Sequence, residues 1–151
     1  MDSMADSAST RDQPGEIHAE TLPVLSFLID EHRYCVDARA VESVVAWREP
    51  TELPGGHRRI WGVLQDRGRV ITIVRHPFSD HRSPVHSDER PLRTLVSPTS
   101  AGHLGVVASQ TFEIEALLLR RTPAHGATLE TPRGPATLIE FESSASEIVA
   151  A

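Results

Sequence analysis

The chain has 151 residues, one domain's worth, and a size that can bury a core without disulfide or metal staples. Its formal net charge of -6 counts against a nucleic-acid partner, which requires a concentrated basic surface. All 15 basic residues are arginine, and the absence of lysine excludes both a Schiff-base lysine and a phosphate-loop lysine.

Residues 1 to 20 are small, polar and charged, with Pro14-Gly15, and read as a disordered tail preceding a domain over residues 21 to 151. The acidic start MDSMADSAST has none of the features of a secretory signal, and no apolar stretch is long enough to span a bilayer, so a cytoplasmic protein is expected. Short apolar runs then follow one another. Leu22 to Ile29 is a predicted strand, Asp30-Glu31-His32 a tight turn, and Tyr34 to Asp37 the returning strand of a hairpin. Ala38 to Val45 places Val41, Val44 and Val45 at spacings of three and four, which fits either a helical turn or a bent strand. A link rich in proline and glycine, Glu49 to Gly56, leads to a strand at Ile60 to Leu64. Asp66-Arg67-Gly68 turns the chain into Arg69 to Val74. The β-branched run Val70 to Val74 suggests a strand covered on both faces.

His76 to Pro91 is a polar loop broken by prolines. Predicted strands follow at Leu92 to Val96, Leu104 to Ala108 and Phe112 to Leu119, with a short one near Ala127 to Leu129 and a last one at Ala136 to Phe141. Ser144 and Glu147 form a capping-box pattern that opens a short helix to Val149. About ten short strands with frequent turns define an all-β sandwich or barrel pair. Only 5% of the residues are aromatic against 39% hydrophobic, so the core is aliphatic.

Chemistry-bearing patterns are sparse. The single cysteine, Cys35, lies in the apolar run Tyr34-Cys35-Val36 and reads as a core residue. His76, His81 and His86 recur every five residues among acidic neighbours, but a proline-broken loop gives no rigid frame for a metal. The alternative function kept open is therefore a small β-barrel metal- or ligand-binding protein, or an enzyme, that uses the His76–His86 loop. His57 and His103 flank turn glycines and are expected at the surface. No serine elbow and no phosphate-binding glycine pattern is present. The expectation is a protein that is not an enzyme and has no cofactor. Trp61 reads either as core packing at a strand end or as an interface anchor. Arg67, between an apolar strand and a turn glycine, reads either as a solvated turn residue or as a guanidinium fork held for a partner.

From Tyr34 to Val74 the chain resembles a CheW-like domain. The blocks that carry the likeness are Tyr34-Cys35-Val36-Asp37 with Val41, then Leu53-Pro54-Gly55, then Ile60-Trp61-Gly62-Val63-Leu64-Gln65-Asp66-Arg67-Gly68. Leu104-Gly105-Val106-Val107 and the end of the chain, Ala136 to Val149, resemble later parts of the family. The resemblance implies two small SH3-like five-stranded β-barrel subdomains that share a core. It also implies a non-enzymatic adaptor coupling chemoreceptors (methyl-accepting chemotaxis proteins) to a CheA-type histidine kinase within receptor arrays. The partners implied are a receptor's cytoplasmic hairpin tip, the kinase regulatory domain and other CheW-like proteins. Val41, Gly62 and Arg67 match receptor-facing positions, and Trp61, Asp66 and Arg75 are further interface candidates. Asp66 stands where the family usually has leucine, Arg75 where it usually has aspartate, and Ala108-Ser109 where an aspartate is usual. The segment between Leu119 and Ala136 is shorter than usual, which implies a truncated second barrel. These departures point to a divergent member, such as an accessory Frz-type homologue, that binds receptors and recruits the kinase weakly or not at all.

Overall fold

The computed structural model describes residues 20–56, 58–75 and 85–150. The expected tail lies outside the described residues except for Glu20, the first residue of β1 (Glu20–Ile29). After β1 come β2 (His32–Asp37), β3 (Ser43–Ala46), β4 (Ile60–Asp66), β5 (Arg69–Val74), β6 (Arg93–Thr99), β7 (Gly102–Ala108), β8 (Gln110–Leu119), β9 (Thr128–Thr131), β10 (Gly134–Ile139) and helix α1 (Phe141–Ala150). They form two five-stranded sheets, ordered β8-β1-β2-β10-β9 and β3-β6-β7-β5-β4. The terminal barrel thus combines strands from both ends of the domain, and the central barrel is contiguous in sequence. Each is antiparallel apart from one parallel pair, β2 with β10 and β5 with β7. The expected truncation between Leu119 and Ala136 does not occur. Thr128 to Thr131 turns back onto β10 and supplies the fifth strand of the terminal barrel.

Burial explains the strand patterns. In β1, Leu25, Phe27 and Ile29 face a core shared by the two barrels, together with Tyr34, Val36, Leu95, Leu104, Val106, Ile139 and Phe141. Val24 of the same strand points into the terminal barrel with Cys35, Leu117, Leu129 and Leu138. Both faces of the second half of β1 are therefore covered, and its sequence is apolar there except for the buried Ser26. The expectation of two covered faces for Val70 to Val74 is met only toward the end of the strand: Ile71 and Ile73 enter the central barrel and Val74 the shared core, while Val70 is 60% exposed. Val70 lies next to the β4–β5 turn, where the hairpin projects from its neighbours.

Ala38 to Val45 resolves into both forms that its spacing allowed, a 3-10 turn at Ala38–Ala40 and then β3. Asp37 starts that turn by accepting the Arg39 backbone N–H at 2.9 Å. The Arg39 guanidinium also bonds both Asp37 oxygens, at 3.0 and 2.8 Å, and holds the Asp37 carboxyl below its usual range. Helix α1 begins at Phe141 rather than at Ser144. Phe141 is anchored in the shared core, and the Ser144 N–H donates to Glu140 O at 3.1 Å at the start of the helix.

Cys35 is fully buried, and burial pushes its thiol up to about 11. The thiol therefore stays largely protonated at pH 8 and lies out of reach of solvent. The native protein is expected to resist an aromatic disulfide reagent at pH 8 and to react stoichiometrically in guanidinium. Fast labelling of the native state would contradict this burial.

Candidate partner-binding site

Strands β4 and β5 form a hairpin in which Asp66 pairs with Arg69 across a two-residue turn, Arg67-Gly68. The φ values are +53° for Arg67 and +80° for Gly68. Two consecutive positive φ angles define a type I′ turn, whose twist matches that of the flanking strands and whose usual first residue is Asn, Asp or Gly. Arginine in this conformation costs on the order of 1 kcal/mol. Its side chain is exposed and makes no hydrogen bond or ion pair among the described residues. A strained, exposed and uncommitted guanidinium has a better rationale in binding than in stability.

The charges around Arg67, in contrast, are committed to one another. Asp66 Oδ1 accepts from Arg48 at 3.2 Å, and its Oδ2 accepts from Arg69 Nη2 at 2.9 Å. The other terminal nitrogen of Arg69, Nη1, donates to Glu42 Oε1. His103 Nε2 lies 3.4 Å from the same oxygen. The chain Arg48–Asp66–Arg69–Glu42–His103 thus ties the hairpin tip to both ends of β3 and to the start of β7. His103, expected as a simple surface residue, is half-buried in this network.

Val41 precedes Glu42 and packs, partly buried, on the shared core with Ala38 and Ala40. The Glu42 N–H donates to Val96 O at 2.7 Å, which fixes this segment on β6. The structure therefore associates Val41, Asp66 and Arg67 through Glu42 and Arg69. Trp61, Gly62 and Arg75 belong to the other end of the hairpin, Gly62 being four residues or about 13 Å along β4 from Asp66. Trp61 occupies a bulge opposite β5 and packs against Trp47, ring centroids 5.4 Å apart, over the central-barrel core. Arg75 is exposed at the end of β5, its N–H donating to Arg59 O at 2.9 Å.

Gly62 has an internal reason to be glycine. The chain after β3 returns to β4 at Thr51, which exchanges two 2.9 Å hydrogen bonds with Val63 and closes the central barrel. A Cβ on Gly62 would lie 2.5 Å from Thr51 O and 2.9 Å from Pro50 Cβ. In the terminal barrel, Arg133 lies 4.4 Å over the Phe112 ring, with Arg33 at 5.1 Å and Glu115 3.8 Å from Arg133.

Of the loop histidines, His57, His76 and His81 lie outside the described residues. His86 stacks on Trp47 at 5.4 Å, and its Nδ1 accepts the Leu92 N–H at 3.0 Å. Among the described residues no three His, Cys, Asp or Glu side chains are grouped to hold a metal. A cleft of about 590 Å³ runs from the terminal-barrel end at Leu22, Leu119 and Leu138 to the start of α1. Its walls are mixed in polarity, with Arg39, Arg121 and Glu142 beside the aliphatic residues.

The architecture is thus two five-stranded barrels packed over a shared apolar core, with an exposed arginine at one hairpin tip. The CheW-like domain family model matches residues 23–129, and the chain belongs to that family. Its members are non-catalytic scaffolds, and membership supports a coupling-adaptor role. Among solved structures, the scaffolding protein TtCheW from Thermoanaerobacter tengcongensis shares the fold at a TM-score of 0.66 and 16% identity, over 83% of this chain and 92% of that one. No curated protein matches the sequence significantly. No helix among the described residues is long and apolar enough to cross a membrane.

The sequence did not single out Glu42, Arg48, Arg69 or His103. Only the opposite charges of Asp66 and Arg69, three apart across a glycine turn, were a local signal; the other partners converge through sheet topology.

Proposed function

We propose that this protein couples chemoreceptors to a signalling kinase by binding the receptor's cytoplasmic hairpin tip through Val41 and Arg67. Family membership supplies the class, and the uncommitted Arg67 on its strained turn is the observation that supports this site. The partner chemistry follows from the side chains. Val41 offers apolar surface to a helix, and Arg67 offers a planar fork for a carboxylate or carbonyl. The working location is a cytoplasmic receptor array, with other CheW-like proteins as neighbours.

Kinase recruitment is proposed to be weak. Asp66 and Arg75 depart from the family pattern, and Ser109, where an aspartate is usual nearby, is occupied with the fold. Its hydroxyl donates to Leu28 O at 3.0 Å and accepts the Asp30 N–H at 2.9 Å. Titration with a CheA-type regulatory domain is expected to show binding at least tenfold weaker than to the receptor tip. Equal micromolar affinity for both would remove the accessory-adaptor part of the proposal and leave an ordinary coupling protein.

A further inference from the structure

We infer that Glu42 is a positioning residue of the partner site, one that keeps Arg67 free for a carboxylate on the partner without touching that partner. This inference rests on the adaptor reading above. Two arginines, Arg67 and Arg69, lie at the hairpin tip. Arg69 is the one engaged: Nη2 and Nη1 go to Asp66 and Glu42, and Nε points to Asp66 O at 3.5 Å. Asp66 Oδ1 is taken by Arg48. Glu42 therefore completes an arrangement that satisfies Arg69 on both sides, while Arg67 has no ion-pair partner among the described residues. Because Glu42 N–H is bonded to Val96 O, its carboxylate is also referenced to β6 and directly follows Val41. One residue thus sets the hairpin tip relative to the apolar part of the site.

Positioning and bulk electrostatics predict opposite signs. Neutralising Glu42 makes the surface more positive, which by charge alone would strengthen binding to an acidic partner. Release of Arg69 and the turn would weaken it. Glu42→Gln is expected to lower affinity for a soluble receptor hairpin tip about three- to tenfold, and the double variant with Arg67→Asn is expected to bind no more weakly than Arg67→Asn alone. In the free protein, Glu42→Gln should speed amide hydrogen exchange at Arg67, Gly68 and Arg69 while leaving exchange in β1 unchanged. Unchanged or increased tip affinity, losses that multiply in the double variant, or unaltered exchange at the turn would each overturn the inference. If the wild type does not bind the tip, the adaptor reading fails on that result, and turn exchange still decides whether Glu42 positions the hairpin.

Discussion

Gly62→Ala is expected to lower the melting temperature by about 6–12 °C. The added methyl carbon would sit 2.5 Å from Thr51 O and 2.8 Å from Thr51 C, both backbone atoms that a side-chain rotation cannot clear. Relief requires separating β4 from the closing segment, which breaks the two Thr51–Val63 hydrogen bonds. Overpacking of this kind costs about 1–3 kcal/mol, and losing the paired bonds brings the total to about 3 kcal/mol. At this chain length each kcal/mol shifts the midpoint by about 2–4 °C. Thermal unfolding followed by circular dichroism is the check, and a midpoint within 2 °C of wild type would mean that the closure is looser than described. The result also bears on function. Gly62 matches a receptor-facing position by resemblance, but the structure gives it a duty inside the barrel. Weakened binding in this variant counts as a lost contact only after correction for the folded fraction.

Arg67→Asn is expected to stabilise the fold and to abolish most partner binding. Asparagine before glycine is the favoured pair in a type I′ turn, so the substitution relieves the cost of arginine at φ +53°. A gain of about 0.5–1 kcal/mol, or about 1–4 °C, follows. The side chain forfeits no hydrogen bond or ion pair among the described residues. Loss of a charge-assisted hydrogen bond to a partner amounts to about 10- to 100-fold in affinity. Arg67→Lys should recover only part of it, because an ammonium lacks the two-pronged geometry. Opposite movement of stability and affinity is the signature of a residue retained for binding. A variant less stable than wild type would show that Arg67 braces its own turn.

How much of this was legible in the sequence varies by element for physical reasons. Strand positions were readable where burial sets an apolar run, as in Leu22 to Ile29, and Phe112 to Leu119 was readable from its apolar content although only Leu117 of it is buried. The β4–β5 hairpin was readable because Arg67-Gly68 interrupts two apolar runs. The fifth strand of the terminal barrel was read only near Ala127 to Leu129, because Thr128 to Thr131 is half polar and only Leu129 and Thr131 face inward. The early start of α1 was hidden because Phe141 reads equally well as a strand residue; tertiary anchoring in the shared core decided it. Arg67 stood out by its neighbours. Most of its supports did not: Asp66 was a candidate beside it, but Glu42, Arg69 and His103 are brought to it by the segment before β3, β5 and β7, and no local spacing encodes that convergence. The role of Gly62 was hidden for the same reason, since Thr51 meets it only when the barrel closes.

The most direct test of the account is isothermal titration of the full chain with a soluble receptor hairpin tip, wild type beside Arg67→Asn. Micromolar binding by the wild type, at least tenfold weaker in a variant that melts no lower, is the predicted result. Equal affinity of the two proteins for the tip would contradict the placement of the site at Arg67, and no binding by the wild type would contradict receptor coupling itself.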